Sequence, residues 1–237
     1  MARSDRKSAA VRFRRAIARS NELHAEYLLD PDLYESYDRF TRWQLDYMLP
    51  FFGDLLEPEG YAEAVDFIVS DLAGVGISKR DREIERATPV IVRSLPTHAL
   101  ETAAAAVELN ARALEINLGI CRELSIDGNL PTDITEKDYF IACRKVSSYD
   151  ECMDLVCLAV ELGETLKKLV SVPLIGGLLR TMRKPAHAAG FGALQEFLET
   201  GYLTFRRISD IDCFLELLRL RMDQVFERVY RSPIPGR

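Results

Sequence analysis

From Leu100 to Cys121 apolar residues recur at spacings of four and three: Leu100, Ala104, Val107, Ala111, Leu114, Leu118 and Cys121. That is the period of one face of an α-helix, and Glu101, Glu108, Arg112, Glu115 and Arg122 fall off the stripe. A helix over 97–125 with such a face has to bury it against other helices, and alanine at two stripe positions lets a neighbour approach closely. Three heptads without a proper e/g charge code read as an intramolecular core helix rather than a dimeric coiled coil. No segment shows sustained apolar/polar alternation bounded by hairpin turns, so no sheet is expected.

Helix-start signals extend this reading along the chain. Asp30-Pro31 offers an N-cap followed by proline at the first helical position. Ser78 to Asp81, Thr135 to Asp138, Ser148 to Glu151 and Ser209 to Asp212 resemble capping boxes, three of them with Asp in place of Glu. The resulting expectation is an all-α fold, one multi-helix bundle of about nine helices near 6–28, 31–49, 60–74, 79–94, 97–125, 135–146, 149–171, 186–200 and 209–230. Pro89 should kink or split the fourth helix unless it starts a new turn. The loop 125–133 is the one break in composition and a candidate subdomain boundary within a helical domain of 21–232.

Charge is uneven. Residues 1–20 hold Arg3, Arg6, Lys7, Arg12, Arg14, Arg15 and Arg19 against Asp5, a local net of +6, so 21–237 carries −12. Such a basic arm or helix start could attract phosphates or anionic lipid heads; the plainer alternative is a solvated, partly frayed helix. Nucleic-acid binding ranks low, because the chain is acidic overall and its cations lack an aromatic-interleaved stripe beyond Phe13. No apolar run approaches the roughly 18 to 20 residues that span a bilayer, and no apolar signal region opens the chain. Five scattered cysteines without a Cys-x-x-Cys pair read as reduced core residues. Together these features predict a cytoplasmic protein.

Familiar chemistries find no support. The three histidines, His24, His98 and His187, form neither a His-Glu-x-x-His nor a Glu-x-x-His pair, so no metal site is expected. There is no Gly-x-Gly-x-x-Gly after a strand, no Walker A loop and no Gly-x-Ser-x-Gly elbow, and no cofactor is expected. No catalytic residue can be assigned. Carboxylates and arginines in an interhelical cavity, with Asp71, Asp81 and Arg93 as candidates, remain the alternative enzyme reading.

Two segments stand out. Lys79 to Arg86 alternates charge at helical spacing, which normally marks a solvent face tied by ion pairs. Residues 172–192 gather two prolines, four glycines, three cations and a histidine in an otherwise apolar run. There Pro185 is placed to open the next helix, whose free N–H groups would carry partial positive charge. Arg180, Arg183, Lys184 and His187 are the candidate contacts to an anion at that helix start. The competing reading is a tight helix crossing that needs glycine, with the cations capping the preceding helix.

The order of segments resembles the proteobacterial proteins named for an FFLEELY motif. The resemblance rests on Arg42-Trp43-Gln44, Tyr61 to Leu72, Arg80 to Arg86, Val92 to Pro96, Ile134-Thr135-Glu136, Leu179 to Ala186 and Leu194 to Gly201. The eponymous stretch is degenerate, Phe67 to Ala73, with Asp71 for Glu and Ala73 where the family has tyrosine. The resemblance implies a bacterial helical protein and brings no activity, substrate or cofactor. The expectation is therefore a non-catalytic binding or interaction protein. Its ligand would be an anionic small molecule or lipid head group at 173–192, or its partner another protein.

Overall fold

The computed structural model describes residues 2–56, 58–68, 78–125 and 130–235. The FFLEELY-like stretch beyond Ile68, Asp71 with it, and residues 126–129 of the candidate subdomain loop lie outside the described residues. Among the described residues there are ten α-helices and no strand: α1 Ala2–Leu28, α2 Pro31–Met48, α3 Tyr61–Phe67, α4 Ser78–Ser94, α5 Thr97–Leu124, α6 Glu136–Val146, α7 Tyr149–Val170, α8 Pro173–Ala188, α9 Gly192–Arg207 and α10 Ile211–Phe226. The all-α expectation holds, with α8 as the helix it lacked. None of these helices is long and apolar enough to cross a membrane.

The caps act where the sequence signals them. Asp30 accepts the backbone N–H groups of Asp32 and Leu33, and Thr135 accepts that of Asp138. Ser148 and Glu151 form a reciprocal capping box. At α10 the cap is Asp210, one residue later than expected, because its carboxylate reaches the Cys213 N–H at 3.0 Å. Pro89 stands inside α4, which continues through it to Ser94.

Of the α5 stripe, Leu100, Ala104, Ala111, Leu114, Leu118 and Cys121 are buried. The longest interface joins this helix to α1. Arg12 pairs with Glu108 at 2.5 Å, Arg19 with Glu115 at 2.5 Å, and Glu26 with Arg122 at 2.5 Å. Each step is seven residues on both helices and in the same direction, so α1 and α5 run parallel, as in a short coiled coil within one chain. Arg6 donates to the carbonyls of Leu95, Val92 and Arg93 at 2.6, 2.7 and 3.0 Å, closing the C-terminal end of α4. Much of the charge of the basic start is thereby committed to the fold.

Two apolar cores share α5. Ala9, Phe13, Ile17, Leu100 and Ala104 form the smaller one at its N-terminal half. The larger, aromatic-rich core at its C-terminal half includes Tyr37, Phe40, Leu118, Phe140 and Phe214. Outside both, α8 lies chiefly against α9 and touches α7.

Candidate anion site between α8 and α9

Pro173 occupies the first turn of α8, where its missing N–H costs nothing. The helix then runs through Pro185, which overturns the expectation that Pro185 opens the following helix. Pro185 sits one turn from the end, where only one interior hydrogen bond is lost. Gly190 ends the run: its φ of +77° suits glycine, its N–H reaches the His187 carbonyl, and the Phe191 N–H reaches the Ala186 carbonyl at 2.8 Å. The cations of α8 therefore sit in its C-terminal half, near the negative end of its dipole rather than at a helix start.

The α8–α9 hairpin is held by charges from α4. Glu83, buried, accepts the Leu194 N–H at 2.8 Å and so satisfies the start of α9, which has no side-chain cap of its own. Arg86 donates to the Gly190 carbonyl at 2.6 Å and covers the Phe191 ring. Gln195, also buried, donates to the Leu179 carbonyl at 2.7 Å. The solvent-face reading of Lys79 to Arg86 is thus wrong for its centre: Arg80, Asp81 and Glu83 are buried, while Arg82, Glu85 and Arg86 stay exposed.

Where the two helices cross, a hollow of about 200 Å³ opens between them, lined by Gly176, Arg180, Glu199, Tyr202, Leu203 and Arg206 among others. Gly176 is needed there, because a Cβ at that position would lie 2.9 Å from Cε1 and 3.0 Å from the hydroxyl of Tyr202. Tyr202 is 7% exposed, and its hydroxyl is buried without a hydrogen-bond partner among the described residues. Glu199 is occupied by a two-point pair with Arg183, whose hydrogen bonds hold its carboxylate below the usual range. Arg180 and Arg206 are exposed and pair with no carboxylate among the described residues. The hollow thus presents two exposed guanidiniums and one paired carboxylate, with the orphan Tyr202 hydroxyl buried in its wall.

The four predicted contacts separate in the fold. Arg180 lines the hollow. Lys184 is exposed one turn along the same face, Arg183 is tied to Glu199, and His187 lies 3.5 Å from Glu196. Sequence reasoning missed Arg206 and Tyr202, which the last two turns of α9 supply. A spacing of four between these residues was the available signal, and it is too common to single out.

A second polar group is sealed inside. Asp81 accepts from Ser20 Oγ at 2.7 Å and from Arg80 Nε at 2.8 Å, with Asn110 Nδ2 at 3.5 Å. His24 Nδ1 lies 3.4 Å from Ser20 Oγ and 3.7 Å from Asp81. Serine and aspartate share one ring nitrogen, so these three do not form a nucleophile relay, which needs them on opposite nitrogens. Burial lowers the His24 pKa against the pull of Asp81. Of the enzyme candidates, Asp81 is enclosed here and Arg93 stands exposed near the end of α4, so the fold does not bring the two to one cavity.

The cysteines are free, but only Cys121, Cys143 and Cys152 are buried; Cys157 and Cys213 are exposed. Burial pushes the Cys121 thiol up to about 11 and the Cys143 thiol up to about 12, which leaves both inert. Among the described residues no group of three or more His, Cys, Asp or Glu is placed to hold a metal ion.

A family profile matches residues 24–233, most of the chain. The chain belongs to the DUF8198 family, described as a domain of unknown function. No curated protein and no solved structure matches it. In this DUF8198 chain the matched region holds the whole hollow and the α4 charges that brace it, while most of α1 precedes it.

Proposed function

We propose that this chain is a non-catalytic binding protein that takes a small anionic group, a phosphate or carboxylate, between α8 and α9. The observation that carries the reading is the Tyr202 hydroxyl, buried and unpartnered beside Arg180 and Arg206. A buried hydroxyl without a partner costs about 1–3 kcal/mol. An anionic oxygen in the hollow would accept from it and from the two guanidiniums, with charge-assisted bonds that are stronger than neutral ones. The hollow is smaller than the roughly 300–1,000 Å³ of a drug-sized site, which suits one anionic group rather than a whole nucleotide. Lys184 adds to the positive field at the rim.

Titration calorimetry of the intact chain with inorganic phosphate tests this reading. Reversing both Arg180→Glu and Arg206→Glu should weaken binding by at least about tenfold, with an unchanged circular dichroism spectrum. Unfolding of that double variant would instead support a packing role for the segment.

A further inference from the structure

A site for an anion is built from donors, yet a carboxylate lines this hollow. Glu199 stands on the face of α9 that also carries Tyr202, Leu203 and Arg206, and all four border the hollow. On α8, Arg183 follows Arg180 by three residues on the same side of the helix. Its guanidinium holds both oxygens of Glu199: Nε donates to Oε2 at 3.0 Å and Nη2 donates to Oε1. The Glu199 side chain is 15% exposed. This two-point pair fixes the carboxylate in place and keeps it ionised, below the usual carboxylate range. An ionised carboxylate has about four acceptor positions and no donor. Arg183 takes one on each oxygen and the Gln195 amide approaches as well, which does not fill them. Whatever of Glu199 meets a ligand can therefore only accept a hydrogen bond.

We infer that Glu199 makes the hollow selective for an oxyanion that keeps a hydrogen of its own, hydrogen phosphate, over one that has none, such as sulfate. This rests on the anion-site reading above and names the chemical class of its ligand. In mildly alkaline buffer both ions are tetrahedral dianions of similar size, so Arg180 and Arg206 attract them alike. The difference is the one hydrogen. Hydrogen phosphate donates its P–OH to Glu199 while its other oxygens accept from the two guanidiniums. Sulfate has only acceptors, so it sets a negative oxygen against a carboxylate that Arg183 keeps from taking up a proton. Such a mismatch discriminates strongly, because leaving charged acceptors face to face costs more than a matched hydrogen bond gains.

Separate calorimetric titrations of the intact chain with inorganic phosphate and with sulfate, in mildly alkaline buffer, provide the test. Phosphate should bind at least about tenfold more tightly than sulfate. Glu199→Gln keeps an acceptor for Arg183 and adds an amide donor, so it should bind the two anions alike, chiefly through a gain for sulfate. Arg183→Gln removes the pair and leaves the carboxylate. It should weaken both anions and keep the preference for phosphate, which a merely structural role of the pair would not predict. Equal affinities in the unsubstituted chain overturn the inference and leave the anion site standing. A phosphate preference that survives Glu199→Gln assigns the discrimination to another group and overturns it too. If neither anion binds, the anion-site reading itself fails and takes this inference with it. Should Glu199→Gln fail to fold, the ratio in the unsubstituted chain and its persistence in Arg183→Gln decide the matter.

Discussion

The charges of α4 and those of α8 look alike in the sequence and end in opposite situations. In α4, Arg80, Asp81 and Glu83 are 7%, 2% and 4% exposed, and Asp81 and Glu83 end on partners from α1 and α9. In α8, Arg180 and Lys184 face solvent without a carboxylate partner among the described residues, beside an orphan buried hydroxyl. The difference teaches what to look for in a helical bundle with no recognisable motif. Charge that is buried and satisfied holds the fold, and charge that is exposed beside an unsatisfied donor is available for a ligand.

The largest effect should come from breaking the buried side. Asp81→Ala would remove the buried carboxylate that accepts from Arg80 and Ser20 and should cost about 3–5 kcal/mol in urea unfolding. Arg180→Glu, on the exposed side, should change stability by no more than about 0.5 kcal/mol. If the two substitutions cost the same, the contrast is wrong. Next in size is Glu83→Ala, which removes the acceptor at the start of α9. It should cost about 1–2 kcal/mol and also weaken phosphate binding, since α9 carries Tyr202 and Arg206.

The pH response sharpens the buried side further. His24 is held below its ordinary value of 6.5, mainly by burial, so the unfolded chain binds its proton more readily. Its contribution is fully present above that value and declines as pH falls through it toward the lower folded value. The slope is no steeper than about 1.4 kcal/mol per pH unit. Urea midpoints taken between about pH 7.5 and about pH 5.5 should show this loss, and His24→Gln should flatten it. The smallest expected effect is the ladder between α1 and α5. A double-mutant cycle on Arg12 and Glu108, both partly exposed, should give only about 0.2–1 kcal/mol, less in high salt.

The fold was legible where local rules decide it. The α5 stripe and the caps at Asp30, Thr135 and Ser148 depend on neighbours within a turn or two, and these are printed in the sequence. The site was less so. Pro185 looked like a helix start because proline favours the first turn, yet Pro173 already holds that position in α8 and Gly190 supplies the stop. The buried role of Asp81 had a signal, since it stands three residues before Ile84 on a face that continues through Ala87 and Thr88. Ser20 and His24 likewise interrupt the buried face of α1 that runs through Phe13, Ile17, Leu23 and Tyr27. Their partners are dozens of residues away, and single-helix periodicity says nothing about such pairings. Arg206 and Tyr202 become visible only once α9 folds back on α8.

The most direct test isolates the Tyr202 hydroxyl and leaves every charge in place. Calorimetric titration of inorganic phosphate into Tyr202→Phe should show affinity lower by about tenfold or more, because one donor to a charged oxygen is gone. The same variant should unfold at the same or higher urea concentration, because it also removes an unsatisfied buried group. Phosphate affinity equal to that of the unsubstituted chain would contradict the account.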